Sequence, residues 1–411
     1  MPRLAGAELC HLGEAILMPG LVNAHSHLEL TALRGLVPPA PFRDWVYRVR
    51  DLKAALDHDD FLASARWGVL EGFAAGITCT ADTGSTRAPA KAMAALGVRG
   101  IAFHEVFGPD PAQAQIAAAA LADEWRELSA LDSERLTVGI SPHAPYTVSD
   151  ELARAVAALA TANDVPLAVH LAESPEERAL VVEGAGPFAE ALRERGIAVG
   201  PRGASCVAWA EAIGLLELAP LLIHCVQCDR EDLHRIALHG ATVAHCPWSN
   251  RELGHGDADL RSMLEEGIAV GVGTDSVATG GALDLFRAAR LAAELAGLAA
   301  DYTVRLITLE AARAIGVSDA GALEPGAWAD LVALDPGSGP ESGPELAVVN
   351  STPGAVRRTW VAGEPVYDRD GAEGPAWVGV NAASEREACE RAGERARSAL
   401  DSSLAMKRAK P

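Results

Sequence analysis

The chain has 411 residues, enough for one large domain and a smaller one, with 49 % hydrophobic and 22 % charged content typical of a globular protein. A formal net charge of −21 argues against a nucleic-acid backbone or an anionic membrane surface as partner. No apolar stretch reaches membrane-span length, and the start "MPRLAGAELCHLGEAILMPG" lacks the apolar core of a secretory signal.

In chain order, residues 1–17 are expected to supply the N-terminal part of a small β domain. Short β-branched runs then alternate with longer helical patterns across residues 18–315. The runs are Ile16–Val22, Ile77–Ala81, Arg99–Phe103, Leu136–Ile140, Pro166–Val169, Leu221–Ile223, Thr242–Ala244 and Ala269–Gly273. Strands alternating with helices make a parallel sheet, and eight of them predict an α/β fold closed as a (β/α)8 barrel. An open doubly wound sheet is the alternative, but no glycine-rich phosphate turn follows the first run. Alanine-rich stretches such as "QIAAAALADEW" read as helices packed through small side chains. Residues 316–380, including "GALEPGAWADLVALDPG", read as short strands with Gly and Pro turns, the C-terminal part of the small β domain. Residues 381–411 read as a charged helical tail.

The chemistry gathers where the runs end: "NAHSH", "CTADT", "FHEVF", "SPHAPY", "HLAES", "HCVQCD", "AHCPWSN" and "GTDS". In a barrel of this kind the C-terminal ends of the strands form the active site. His25 and His27 stand at i and i+2, so in a strand both imidazoles point to one side, as a metal site requires. A satisfied core histidine could explain one of these ends, but not His25, His27, His143, His170, His224 and His245 together. The seven cysteines are irregularly spaced and do not suggest a disulfide framework, so a reducing, cytoplasmic compartment is expected. Cys225 and Cys228 form a lone CxxC without a second half, which reads as a buried strand end rather than a zinc or redox pair.

From "PGLVNAHSH" through "HLAE", "IHC", "VAHCPWSN" and "VGTDS" to "GALEPGAWADLV", the chain resembles the amidohydrolase superfamily. The resemblance implies a distorted barrel with a small β-sandwich built from both termini, its N-terminal share shortened because only 18 residues precede "PGL". It also implies that His25, His27, His170 and Asp275 bind one divalent metal ion, with zinc best suited and iron or manganese as alternatives. Such an ion lowers the pKa of a water toward neutrality. Binuclear members bridge their metals through a carboxylated lysine, usually at the fourth strand end. Here the lysines are Lys53, Lys91, Lys407 and Lys410, and "GISPHAPY" offers His143 at that point. The resemblance is therefore to the mononuclear deaminases.

In that branch Glu173 matches the proton shuttle and His224 the histidine that hydrogen-bonds the attacking water. Asp275 can accept that water's proton besides binding the ion, and His245 is read equally as support for the site or as a substrate contact. "SPHAPYTVSD" resembles a nucleoside-contacting segment, which makes His143 a substrate binder, and Trp45 a wall for the base or its tail. "WVYRVRDLKAAL" lacks the glutamate by which S-adenosylhomocysteine and methylthioadenosine deaminases hold the ribose, and "HSHLEL" with "FRDWV" looks closer to aminodeoxyfutalosine deaminases. That substrate carries a carboxylate, for which Arg34, Arg87 and Arg251 are candidate partners. The expected reaction converts 6-amino-6-deoxyfutalosine to futalosine and ammonia, a step toward menaquinone. Deamination of adenosine, S-adenosylhomocysteine or methylthioadenosine is an alternative, as is amino- or chlorohydrolysis of an s-triazine, guanine or cytosine-like ring. A non-catalytic relative is disfavoured because all four ligands and Glu173 are present. The expected partner is a small nucleoside, with no nucleic acid and no membrane, and homo-oligomerisation is left open.

Overall fold

The computed structural model describes residues 10–337, 343–371 and 374–408. Parts of the expected β domain (residues 1–9, 338–342 and 372–373) and the tail end (409–411) lie outside them. Eight parallel strands form two four-stranded sheets. The first holds β2 (Leu21–Ser26), β3 (Ile77–Gly84), β4 (Arg99–Val106) and β5 (Leu136–Pro142). The second holds β6 (Ala168–Leu171), β7 (Leu221–His224), β8 (Thr242–His245) and β9 (Val270–Val272). Parallel bridges Ile140–Leu167 and Ser26–Asp275 join the two sheets at both seams, which closes the barrel. Every residue of β2, β3 and β4 is buried, as expected of parallel strands covered on both faces.

The first expected run, Ile16–Val22, divides between two sheets. β1 (Ile16–Pro19) joins an antiparallel sheet of order β1-β10-β11-β12-β13, with β10 (Leu331–Leu334), β11 (Val356–Val361), β12 (Glu364–Asp368) and β13 (Ala376–Trp377). Leu21 then enters the barrel, donating its N–H to Gly76 O at 2.9 Å. Pro19 has no N–H for a ladder, and a Cβ at Gly20 would meet Thr78 Oγ1 at 2.1 Å, so this close crossing admits glycine alone. The fifth run also shifts toward its C-terminus. Pro166 serves only as an acceptor, for Ile140 N at 3.0 Å, and the strand that follows carries His170 within it.

The charged tail is a docked helix, Ala382–Arg408, packed along the helix His58–Ala74. Arg66 clamps Glu385 at 2.6 Å, and Arg395 Nε reaches the buried Asp60 at 2.8 Å. Barrel and antiparallel sheet are tied by a further ion pair. Arg99, at the start of β4, donates to Asp330 through Nε at 2.6 Å and Nη2 at 3.2 Å, both side chains at most 2 % exposed. Asp330 also accepts Ala362 N at 2.7 Å, and the guanidinium lies 4.1 Å from the Trp328 ring. Replacing only one member leaves the other charge buried and unpaired. Asp330→Ala should therefore lower unfolding free energy by about 3–5 kcal/mol, read from urea midpoints. A midpoint like that of the parent protein would show that the pair does not join the two parts.

Candidate active site

The strand ends deliver the site. His25 lies in β2, His27 just past it, His170 in β6 and His224 at the end of β7. Asp275 follows β9. The non-glycine residues Ala172, His224, Cys225 and Asp275 hold positive φ values of 53°, 80°, 48° and 57°. Such a conformation costs about 1–3 kcal/mol and persists only where its surroundings over-determine it. Asp275 illustrates how: its N–H donates to His25 O at 3.0 Å, and the Ser249 hydroxyl donates to its Oδ2.

His25 Nε2 and His27 Nε2 lie 3.3 Å and 3.5 Å from Asp275 Oδ1. The ring nitrogens of His25, His27 and His170 lie within 4.8 Å of one another, as do those of His25 and His224 with the Asp275 carboxylate. Proton placement suits a cation. His27 Nδ1 faces Thr83 O at 2.9 Å and His170 Nδ1 faces His143 O at 3.1 Å. A carbonyl only accepts, so each Nδ1 carries the proton and each Nε2 keeps a lone pair. Fully buried His25 has no hydrogen-bond partner for either nitrogen among the described residues. Burial lowers the pKa of His25 and His170 and brings His27 to about 4, which keeps all three neutral and able to ligate. Three nitrogens and a carboxylate fit a divalent metal ion.

Glu173 stands beside this cluster. Its Oε2 accepts from Tyr146 Oη at 2.9 Å, while Oε1 lies 3.4 Å from His224 Nε2 and 3.3 Å from His255 Nε2. Burial pushes its pKa up, but His224 and His255 more than offset this and hold it at about 2. Glu177 fixes the turn by accepting Ala172 N and Glu173 N at 2.8 Å and 2.7 Å. His224 Nδ1 faces Asn250 Oδ1 at 2.9 Å. Glu173, His224, His170 and Asp275 line a cavity of about 250 Å³, whose apolar wall includes Leu30, Phe42, Trp45, Val46, Val49 and Phe107.

His143 and Trp45 line the cavity. The His143 ring stacks on Phe107 with centroids 4.5 Å apart. His245 is fully buried, does not line the cavity, and has no partner for either ring nitrogen among the described residues. Its position beneath the cavity wall favours support of the site over substrate contact. The three nominated arginines are also away from the cavity lining. Arg34 turns back to Glu71, Arg87 pairs with Glu127 and Glu124, and Arg251 is exposed on the short helix Pro247–Glu252. Each follows a polar strand end in sequence, yet its side chain answers to a neighbouring helix or to solvent. Among the described residues, the lysine and arginine side chains on the cavity wall are Arg50 and Lys53, from the helix Phe42–Lys53. Sequence reasoning also missed Tyr146, Glu105 and His255. The first two stand within "SPHAPY" and "FHEVF", whereas His255 sits alone in a turn and gives no sequence signal.

An amidohydrolase family model matches residues 16–366. The chain belongs to the amidohydrolase family, in its deaminase branch. This amidohydrolase is a hydrolytic aminohydrolase. It is 33 % identical over 383 residues to a 5-methylthioadenosine/S-adenosylhomocysteine deaminase of Nitratidesulfovibrio vulgaris, covering 88 % of this chain and 82 % of that one. Its fold matches a zinc-bound adenosine deaminase from Xanthomonas campestris with a TM-score of 0.79 at 26 % identity, over 93 % and 86 % of the two chains. Helicobacter pylori aminofutalosine deaminase, in complex with methylthio-coformycin, shares the fold at a TM-score of 0.74 and 21 % identity, over 86 % and 87 %.

The ligand geometry makes a direct demand. His170→Ala should lose most bound metal and nearly all turnover, and elemental analysis of the parent should find about one equivalent per chain. Two equivalents, or unchanged metal in the variant, would refute the single-ion site.

Proposed function

We propose that this amidohydrolase removes the exocyclic amine of an adenosine-like nucleoside by hydrolysis that depends on one divalent ion, zinc. The observation that carries the reading is Glu173, a buried carboxylate between His224 and Tyr146 at the ligand cluster of an aromatic-walled cavity. When bound, the ion supplies a water whose pKa is lowered toward neutrality.

The residues supply the rest. Ionised Glu173 accepts a proton from the attacking water and delivers it to the ring nitrogen beside the amine-bearing carbon, which makes that carbon a better electrophile. His224 is held by its Nδ1 hydrogen bond to Asn250, which aims its Nε2 edge toward Glu173 and the attacking water. Asp275, held by Ser249, accepts the second proton, which leaves with the amine as ammonia. Tyr146 keeps Glu173 aimed at the base, while Trp45, Phe42 and Phe107 offer ring faces and edges to the purine and exclude water.

Within this class we infer aminodeoxyfutalosine as the substrate, with futalosine and ammonia as products. The aromatic wall suits a carboxyphenyl tail, and Arg50 is the wall's cation best placed to meet a carboxylate, because its pair with Asp51 is solvent-exposed and easily exchanged whereas Lys53 is held by the buried Glu29. The identity to 5-methylthioadenosine/S-adenosylhomocysteine deaminases favours a second reading, deamination of those thioether nucleosides.

Glu173→Gln removes no ligand, so it should keep its metal while turnover falls about 10²- to 10⁴-fold. Near-parental turnover with metal bound would remove Glu173 from its role. Aminodeoxyfutalosine should exceed adenosine and methylthioadenosine in kcat/KM by about tenfold or more. Arg50→Ala should narrow that gap chiefly through KM. Equal efficiency on all three would exclude the futalosine assignment and leave the adenosine-like one.

A further inference from the structure

Among the described residues, three acidic side chains line the cavity: Glu173, Asp275 and Glu105. The reaction uses the first two. Glu105 lies near the end of β4, where strand alternation turns it inward and its neighbour His104 outward to Glu124. Its side chain is 3 % exposed, and its Oε1 has no hydrogen-bond partner among the described residues. The nearest ring nitrogen, His170 Nδ1 at 3.7 Å, already gives its proton to the His143 carbonyl. Lys53, which lines the same stretch, is engaged by Glu29 and by Ser85 Oγ at 2.7 Å. A buried acceptor left open on a cavity wall calls for a donor from the ligand.

We infer that Glu105 recognises the sugar hydroxyls of the nucleoside, an inference that rests on the adenosine-like reading of the site. Apart from the amine lost at the ligand cluster, the donors next to the base of such a substrate are its 2′- and 3′-hydroxyls. One O–H of that vicinal diol can donate to the open Oε1, while the Thr83 hydroxyl serves the same carboxyl. Position agrees, because the Glu105 carboxylate lies within 4.8 Å of nitrogens of His143 and His170. That places it close to the reacting carbon rather than at the far end of a 5′ substituent. The helix Phe42–Lys53 brings no acid of its own to the cavity: Asp44 and Asp51 pair with Arg43 and Arg50. Glu105 thus supplies from β4 the acceptor that the helix lacks, and acts on specificity rather than on the chemical step.

The test is steady-state ammonia release by metal-loaded protein from adenosine and methylthioadenosine and from their 2′-deoxy counterparts. The parent enzyme should favour each ribonucleoside by about 10- to 100-fold in kcat/KM. Glu105→Ala should bring that ratio close to one, mainly by raising KM for the ribonucleosides, with metal content unchanged. Glu105→Gln, whose amide oxygen still accepts, should recover part of the preference. An unchanged ratio in Glu105→Ala would overturn the inference, as would metal loss, which would make Glu105 a support for His170. Ammonia from none of these nucleosides, nor from aminodeoxyfutalosine, would overturn the deaminase reading itself, and this inference with it.

Discussion

The hydrogen bond donated by one imidazole nitrogen fixes where the other aims its lone pair, and for His27, His170 and His224 the acceptors lie at other strand ends of this barrel. His27 gives its proton to Thr83 at the end of β3, and His170 to His143 just past β5. His224 gives its proton to Asn250, beyond β8. The aim of these three rings therefore depends on the pairing of adjacent strands. The seams make the same point, because the bridge that joins the last strand region to the first is formed by Asp275 itself.

The left-handed backbone at Ala172, His224, Cys225 and Asp275 belongs to this arrangement. A parallel strand that simply continued would carry its last side chain up and away from the axis. The reversal in φ turns the chain sharply, and compensation comes from groups placed for it: Glu177 beneath Ala172 and Glu173, and His25 O beneath Asp275. Strain here sits on rigid support, which is the usual condition for a precise polar site.

Much of this was legible in the sequence, for a physical reason. Buried parallel strands need continuous apolar runs, and the polar residues closing those runs can only be rim residues, so the barrel and His25, His27, His170, His224 and Asp275 emerge together. Legibility ended where one side chain chooses among distant partners. Nothing local says that Arg34 prefers Glu71, or that Arg50 rather than Arg87 borders the cavity. The division of Ile16–Val22 was hidden because both sheets want the same β-branched residues, and only the crowding of Gly20 against Thr78 marks the crossing. His255 was invisible because its role is defined wholly by Glu173, far away in the chain.

The helix Phe42–Lys53 is fastened at both ends. Phe42 packs edge-on against Tyr146, Phe188 and His255, and Lys53 is pinned to Glu29 and Ser85 on the barrel. Trp45, Val46 and Val49 hang between those anchors like the span of a bridge. A ligand therefore meets a wall already in place, and little ordering entropy opposes its entry. The same construction separates two kinds of change. Exchanges along the span can reshape the chamber for a new 5′ group, while the abutments keep the chemistry beneath it in register.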